Sequence, residues 1–466
     1  MDYNTEAINE VAQEVAKILK KALETQAKDE NGDVKIAQIE NNMREVMLKI
    51  SNEALSIMLS CEQTAPIAEI ACECGGILHY QRMREATVIS VFGKTTYKRA
   101  YYAGCSCKKG KAPIDEQFGL EPGAVTAGLA KLLALAGIEF SYGESPRWLQ
   151  PFLLFDISEN TVRVETERMG KIQNEQEQKW IEQSQKESYL QERQRNLGKI
   201  PTRLYGSMDA AKVRIEPRPK KDEEQEEHED WRDMKVICWF EAESVPPAQR
   251  STRQKKKFER EQIALRAKNK HYFCDIIEAE SFGKLLWATG CTVDADLCPD
   301  LVFLGDGAIW IWNLVDKYYP DAQQIVDWYH AEEHLEKVAN SAFADATKRT
   351  SWLTEVTQFL WDGQVEDVIS SCKALSSTCL IAEQAAGYFT NNSERMRYDQ
   401  FRAADYMIGS GTIESACKQI VTHRLKLSGA QWTVAGAVQT AKARAAWLSG
   451  DWNSLSNLRQ NLPLVA

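Results

Sequence analysis

Two aspartates in the second half of the chain follow short apolar runs and carry the clearest chemical signal. One run, residues 301–304, ends in Gly305-Asp306-Gly307, and a second, residues 324–326, ends in Asp327. A helical pattern follows each aspartate, so the segment predicts a β-α-β-α unit with both carboxylates at one edge of a parallel sheet. Ligands bind at the carboxyl edge of such sheets, and carboxylate oxygens are the ligands that hard divalent cations prefer.

Four cysteines in two close pairs suggest a second kind of site. Cys72 and Cys74 precede a segment rich in β-branched and aromatic residues, 87–102, and Cys105 and Cys107 follow it. The segment predicts a hairpin, and two cysteine pairs joined by a hairpin can close one tetrahedral Zn(Cys)₄ site. The spacing is C-x-C and not C-x-x-C, so four reduced cysteines on a ribbon that packs without metal are the alternative.

The ribbon around these cysteines is rich in positive charge. Between Gly76 and Lys111 there are eight lysines and arginines and one acid, Glu85. A basic ribbon with interleaved aromatic residues suits the phosphate backbone of a nucleic acid, and a solvated charged face is the alternative. The candidate DNA contacts in the ribbon are Arg82, Arg84, Lys94, Lys98 and Arg99.

Residues 121–170 predict three helices. A short helix near Ser145–Leu154, a turn and a capped helix from Ser158 resemble a helix-turn-helix. The side chains on the third helix that would face DNA are Thr161, Arg163, Thr166 and Arg168. Packing of three helices without any DNA contact explains the pattern nearly as well.

Composition limits the class of protein. The chain has 466 residues and a net charge of −10, with 27% charged and 44% hydrophobic residues, which is typical of a soluble protein of several domains. No apolar run reaches the roughly 18 residues of a membrane span, and the N-terminal pattern lacks the apolar core of a signal peptide. We therefore expect a cytoplasmic protein whose twelve cysteines are not a disulfide scaffold.

The order of elements predicts a multidomain α+β protein. Residues 200–329 give three meander strands, the first of which carries Asp209, and then helix, strand, helix and strand, which is the ribonuclease H-like arrangement. The predicted domains are an N-terminal helical segment (1–66), a Cys-bearing β-ribbon (67–120), a helix-turn-helix-like module (121–170), a solvated, charged helical connector (171–199), a ribonuclease H-like α/β catalytic core (200–329 and 408–450), an all-α insertion (330–407) and a C-terminal tail (451–466).

A glycine-rich entry at 408–412 leads into a helix that carries Glu414 off its apolar face. A carboxylate in the first turn of a helix is ordinarily explained by the helix dipole, at about 0.3 to 1 kcal/mol. Five positive charges follow, with no acid between Ser415 and Trp447, and they predict a DNA-facing flank or, alternatively, a solvated helix pair. These five residues are Lys418, Arg424, Lys426, Lys442 and Arg444.

Four longer motifs lie in the second half of the chain. They are G-D-G-A-x-W-I at 305–311, D-W-Y-H-A at 327–331, E-R-M-R-Y at 394–398, and G-S-G-T-I-E-S followed by R-L-K at 409–426. Together they resemble the DDE transposases of bacterial insertion sequences, in particular the ISKra-type group. The likeness runs from about residue 70 to residue 450, and the C-x-C spacing of the ribbon departs from the family's pattern.

The resemblance implies a site, a reaction and its partners. Asp209, Asp306 and Glu414 fall on the family's three catalytic acids, and Asp327 and His330 match a D-x-x-H signature at the start of the insertion. The implied reaction is cleavage of double-stranded DNA at the element's ends and strand transfer into target DNA. Two Mg²⁺ ions, replaceable by Mn²⁺, would activate the water and stabilise the leaving oxygen. Two ends must be joined, so we expect a homodimer or a higher assembly at the bacterial nucleoid.

Other functions stay open on the sequence alone. The chain could be a repressor or immobile relic that only binds DNA, or a ribonuclease H-like nuclease that never joins strands. His330 and His334 have the i, i+4 spacing of a zinc hydrolase, but the sequence lacks the Glu directly after the first His. We expect His330 to pack or to contact a phosphate.

Overall fold

The computed structural model of the protein describes residues 5–24, 36–61, 66–195, 198, 200–216, 231–246, 249 and 265–461. Helices and two β-sheets of different strand orientation make up this part of the chain, which confirms the predicted mixed α+β class. The chain divides into two compact units, a first unit of Met1–Met169 and Ser454–Ala466 and a second unit of Gly170–Asn453. No helix among the described residues has the length and apolar character to cross a membrane.

The first unit begins with a helical pair and a three-stranded antiparallel sheet. The sheet has the order β1-β2-β3, and β2 and β3 form the predicted hairpin, with a turn that ends at Gly93. Gly93 has a φ of +102°, a value that favours glycine. Side chains alternate between buried and exposed along β3, as expected for a sheet with one covered face. The elements are α1 (Thr5–Glu24), α2 (Ile36–Cys61), β1 (Glu69–Ala71), β2 (Ile77–Ser90) and β3 (Gly93–Ala103).

Four helices follow the hairpin, and three of them occupy the region predicted to hold three. They are α3 (Pro113–Phe118), α4 (Ala127–Glu139), α5 (Ser145–Leu153) and α6 (Glu159–Ser184). Leu129 and Leu133 of α4, Leu153 of α5 and Val162 of α6 share one apolar core. Thr166, expected on the DNA-facing side, is buried, and its Oγ1 donates a hydrogen bond to the Val162 carbonyl at 2.7 Å.

The second unit is built on a five-stranded sheet with the order β6-β5-β4-β7-β8. The first three strands along the chain form an antiparallel meander, and β7 and β8 add to the other side of β4 in parallel. All five residues of β7 are buried, which explains its uninterrupted apolar sequence. The strands are β4 (Leu204–Arg214), β5 (Trp231–Ser244), β6 (Leu265–Asp275), β7 (Leu301–Gly305) and β8 (Gln323–Val326).

Helices surround this sheet and fill the predicted insertion. They are α7 (Glu187–Arg195), α8 (Ala279–Thr292), α9 (Ile309–Tyr318), α10 (Trp328–Ala342), α11 (Ala346–Trp361), α12 (Val365–Leu375), α13 (Leu380–Asn391), α14 (Tyr398–Ala403), α15 (Gly411–Cys417), α16 (His423–Leu425) and α17 (Val434–Leu448). A π-helical segment, Lys418–Thr422, joins α15 to α16. The tail predicted over 451–466 contains α18 (Trp452–Asn461), and residues 462–466 lie outside the described range.

The prediction of a solvated connector over 171–199 is wrong for the second half of α6. Glu177 is buried there and forms an ion pair with Lys442 of α17. Lys442 also lies 2.9 Å from the Asp275 carboxylate at the end of β6. Burial alone would lower the pKa of Lys442, but Glu177 and Asp275 raise it, so the amine stays charged. One side of this polar helix is therefore buried around an ion network, while other side chains of the same segment stay exposed, among them Gln178 and Lys179.

The network predicts a large loss of stability when its cation is removed. Lys442→Met leaves two carboxylates buried without a counter-ion, and we expect the free energy of unfolding to fall by about 3 to 5 kcal/mol. Urea unfolding followed by tryptophan fluorescence measures the change. Lys418→Met, at an exposed position, is the control and should change stability by less than about 0.5 kcal/mol. Equal unfolding midpoints for the two variants would contradict the prediction.

Candidate functional site

Parallel pairing of β4 and β7 brings two of the predicted acids together. Ser207 of β4 pairs with Leu304 of β7. Asp209 lies two residues farther along β4, and Asp306 lies two residues after Leu304, just beyond the end of β7, so this register leads the two aspartates to neighbouring positions. Neighbouring strands are about 4.8 Å apart, and the charge of Asp306 is one of the causes that raise the pKa of Asp209. Both aspartates are half-buried.

Glu414 reaches the same region from α15, which packs against β4 and β5. The thiol of Cys417, at the end of α15, hydrogen-bonds to the Asp209 carboxylate. Glu414 precedes Cys417 by three residues and therefore lies on the same side of the helix. Its side chain is exposed, and its charge also raises the pKa of Asp209. The three predicted acids are thus close enough to interact electrostatically, but their carboxylate oxygens do not all lie within 4.8 Å of one another, since among the described residues only the four ribbon cysteines form such a group.

The electrostatics of Asp209 reflect this crowding. Burial is the largest cause of its raised pKa, followed among the raising effects by the negative charges of Asp306 and Glu414. The Ala210 backbone NH, 2.6 Å from Oδ1, acts in the opposite direction. Burial raises the pKa of the Cys417 thiol, so this group keeps its proton and donates to the carboxylate. A cation at this edge would offset the repulsion among the three acids.

Asp327 does not join the acids but holds the segment that leads to Glu414. Its side chain is buried, and Oδ1 accepts a hydrogen bond from the His330 backbone NH at 2.7 Å, which caps α10. Oδ2 accepts a hydrogen bond from the backbone NH of Ser410, the residue directly before α15. The sequence places Asp327 at a helix start, but nothing in it reveals the second bond across 83 positions.

Tyr388, which the sequence analysis missed, and His334, which it considered only for zinc-hydrolase spacing, lie beside Asp306. The hydroxyl of Tyr388 donates a hydrogen bond to the Asp306 carbonyl at 2.9 Å. The ring of His334 stacks on that of Tyr388, with centroids 4.0 Å apart. The ring of His330 lies 5.2 Å from that of His334, so His330 contributes to this aromatic packing. No local spacing in the sequence signals the contact, because Tyr388 is 82 residues from Asp306.

The four ribbon cysteines meet at one point. Cys72 and Cys74 follow β1, and Cys105 and Cys107 follow β3. Among the described residues, these four form the group of potential metal ligands whose atoms all lie within 4.8 Å of one another. The sulfur of Cys74 is 3.4 Å from that of Cys72 and 3.3 Å from that of Cys105. A tetrahedral zinc with bonds of about 2.3 Å separates its sulfurs by about 3.8 Å, so the cluster could hold a metal such as zinc.

Two further observations fit a cation between these sulfurs. A Cβ at Gly76 would lie 2.7 Å from the Cys105 sulfur, so a larger residue at this position would collide with the sulfur cluster. The Cys107 backbone NH and the Cys74 thiol lower the pKa of Cys105 to about 6. At Cys74 the Gly76 backbone NH favours the thiolate, but the other three cysteines outweigh it and raise the pKa to about 12. The sulfurs therefore resist ionising together unless a cation compensates them.

The structure divides the predicted DNA-binding residues into two groups. Exposed side chains are those of Arg82, Arg84, Lys94, Lys98, Arg163, Lys418 and Lys426. Arg168 is half-buried and lies 3.5 Å from Glu165. Arg99 is largely buried in an ion pair with Asp115. Arg99 is therefore committed within the protein, whereas Arg163, 2.8 Å from Glu167, and Arg168 each pair with a glutamate of their own helix.

The predicted DNA-facing flank after Glu414 needs a larger correction. Arg424 is only 2% exposed and lies over the Trp432 ring, 4.9 Å from its centroid. Lys442 belongs to the buried ion network, and the Arg444 Nε donates to the Gln419 carbonyl. These three cations face the interior because buried carboxylates, a carbonyl and an aromatic ring bind them there. Lys418, four residues after Glu414, and Lys426 remain exposed.

No protein-family model matches the chain, and no curated protein matches it at a significant level.

The tight fit at Gly76 predicts a loss of metal from the ribbon. In Gly76→Ala the new methyl group would displace the Cys105 sulfur, and we expect zinc content to fall well below the roughly one ion per chain of a closed tetrahedral site. Atomic emission spectrometry of protein purified with zinc measures it. Gly128→Ala is the control, since its Cβ would meet Val91 at an ordinary 3.8 Å. Full zinc content in Gly76→Ala would refute this account of the ribbon.

The histidine beside Tyr388 predicts a pH dependence of stability. Burial, with the nearby His330 and Lys337, lowers the pKa of His334 from 6.5 to about 4. The unfolded chain binds this proton at a higher pH than the folded chain, so stability falls as pH drops from about 6.5 towards 4. We expect His334→Gln to lose stability less steeply over that range in urea unfolding, and the exposed His423→Gln to keep the wild-type slope. Parallel slopes for wild type and His334→Gln would contradict this assignment.

Proposed function

We propose that the protein is a DNA transposase that cleaves and joins DNA with Asp209, Asp306 and Glu414. The observation that carries this proposal is the convergence of the three acids. Asp209 lies in a strand, Asp306 directly after another strand and Glu414 on a helix, with about a hundred residues between one acid and the next, yet the charges of Asp306 and Glu414 both act on Asp209. A carboxyl group with a raised pKa that lies near two further acids beside a parallel strand pair is typical of a catalytic site.

The proposal includes a ribonuclease H-like core in the second unit. Renumbered from β4, the strand order is 3-2-1-4-5, with the second strand antiparallel to its neighbours. The insertion α10–α14 lies in the chain between the fifth strand and the helix that carries Glu414. This topology and the position of the insertion support the assignment.

The donor set also suits the metal that the reaction needs. Carboxylate oxygens are the ligands that Mg²⁺ prefers, and the mutual repulsion at Asp209 favours a divalent cation. Asp209, Asp306 and Glu414 would hold two Mg²⁺ ions, or Mn²⁺ in their place, which activate the attacking oxygen and stabilise the leaving oxygen. The Cys417 thiol and the Ala210 and Ala308 backbone NH groups orient the two aspartates.

The chemistry proceeds in two balanced steps. In the first, the oxygen of water bonds to phosphorus, and the 3′-oxygen leaves with a proton as a free hydroxyl. In the second, that hydroxyl attacks a phosphodiester of the target, and the target's own 3′-oxygen leaves. One phosphorus–oxygen bond forms and one breaks in each step, so strand transfer needs no other energy source.

DNA binding is assigned to the exposed cations of both units. Arg82, Arg84, Lys94 and Lys98 project from the ribbon, which zinc would hold at its cysteine end. Arg163 is exposed on α6, and Lys418 and Lys426 lie near Glu414. Exposed cations of this kind bind phosphates independently of sequence. The proposed partners are element ends and target DNA, with two or more copies of the chain in a bacterial cytoplasm.

Amide variants of the acids test the proposal. Asp209→Asn, Asp306→Asn or Glu414→Gln should each reduce Mg²⁺-dependent nicking of end-containing DNA by about a thousandfold or more, because the site loses a metal-binding charge. DNA binding, measured by mobility shift, should stay within about twofold. Asp321→Asn, an exposed acid before β8, should nick normally.

A strand-transfer assay with a pre-cleaved end separates the remaining functions. Joined products support the transposase. Nicking without joining identifies a ribonuclease H-like nuclease, and DNA binding without nicking identifies a repressor. Wild-type nicking rates in Asp306→Asn or Glu414→Gln would overturn the assignment of the acids.

A further inference from the structure

The turn that carries Asp306 is held from outside the sheet by one side chain of the helical insertion. Tyr388, on α13, is largely buried, and its hydroxyl donates to the Asp306 carbonyl at 2.9 Å. The Asp306 side chain has its own restraint, because Oδ1 accepts from the Ala308 backbone NH at 2.9 Å. The backbone and one carboxylate oxygen of the same residue are thus fixed by different partners.

The fit between Tyr388 and the turn is close. A Cβ at Gly307 would lie 2.5 Å from a ring carbon of Tyr388 and 2.9 Å from its hydroxyl. Gly307 also has a φ of +95°, in the region that favours glycine. Two features therefore favour glycine after Asp306: the positive φ of the backbone and the close approach of the Tyr388 ring. Either one alone would make a larger residue unfavourable.

The tyrosine ring is itself held in place. It stacks on His334 of α10 with an interplanar angle of 15°, and the Asn392 side chain donates to the Tyr388 carbonyl at 3.0 Å. Helix α10 is capped by Asp327, whose second oxygen binds the Ser410 backbone NH before α15. The insertion therefore contacts the chain beside Asp306 through Tyr388 and the chain before Glu414 through Asp327.

We propose that Tyr388 is a positioning residue for Asp306, through which the helical insertion sets the metal affinity of the carboxylate site. The proposal rests on the proposed function for its chemistry. Tyr388 touches the backbone of an acid that would bind the ion, and it does not bind the ion itself. Groups that orient a metal ligand in this way contribute about 10- to 100-fold to metal affinity or activity.

Tyr388→Phe isolates the hydroxyl, since the ring, its stacking on His334 and its contact with Gly307 are kept. In zinc-loaded full-length protein we expect Mn²⁺ to bind about 10- to 100-fold more weakly, measured by paramagnetic resonance of free Mn²⁺. Nicking should need correspondingly more Mn²⁺ for its half-maximal rate, and saturating Mn²⁺ should restore it. If Tyr388 only stabilised the fold, saturating Mn²⁺ would not restore the nicking rate of the variant.

Tyr406→Phe is the matched control. The Tyr406 hydroxyl donates a hydrogen bond to the Asp300 carboxylate at 3.0 Å, and Asp300 directly precedes β7. The variant therefore also loses one tyrosine hydrogen bond near β7, but at the end of the strand away from Asp306. This variant should bind Mn²⁺ as the wild type does. Equal Mn²⁺ affinity in Tyr388→Phe and wild type overturns the role of Tyr388, even when the wild type nicks DNA. Wild-type protein that binds Mn²⁺ but never nicks overturns the proposed function, and the affinity comparison still tests Tyr388.

Discussion

The parallel pairing of β4 with β7 is the constraint on which the candidate site depends. Asp209 lies within a long strand and Asp306 directly after a short one, and only the pairing of Ser207 with Leu304 aligns them. A slip of one residue would turn one of the two aspartates to the other face of the sheet. A slip of β7 would move the carboxylate of Asp300 or Asp306 into a position that an apolar residue of this fully buried strand now fills, which is unfavourable.

Placing several negatively charged carboxylates close together is unfavourable, and hydrogen bonds from the surrounding structure hold these side chains in position. Asp209 has a raised pKa and a thiol donor, and Asp306 accepts one hydrogen bond from the Ala308 backbone NH and one from the Tyr388 hydroxyl. Asp327 is committed to a helix cap and a distant loop. Three aspartates near one edge thus have three different tasks. Their roles differ because of what surrounds each carboxylate, and not because of the residue type.

Much of the second unit could be predicted from the sequence because local rules govern it. Apolar runs that end in glycine or aspartate predict β7 and β8, alternation predicts β5 and β6, and helical spacing predicts the insertion. The proximity of the three acids was expected from the family resemblance. In the structure, the register between β4 and β7 brings Asp209 and Asp306 near each other. The cysteine cluster was predicted from two pairs and a hairpin, although C-x-C spacing left its closure open.

What the sequence could not provide are contacts between distant polar residues. Glu177 occurs in a polar pattern typical of a solvated helix, and Lys442 was expected on a basic flank of the protein. Their ion pair across 265 positions explains the burial of both side chains. Arg424 likewise was predicted on an exposed basic face and instead lies over Trp432. Tyr388 belongs to no pattern at all, since its partner is a backbone carbonyl on another element.

The π-helical segment between α15 and α16 has a geometric consequence for both ends of that helical stretch. Each residue turns a helix by about 100°, and a π turn accommodates one residue more than an α turn. The extra residue rotates everything after Thr422 relative to Glu414 and Cys417. That change of phase lets one continuous rod direct an acid and a thiol toward Asp209 while Arg424 points into the apolar interior.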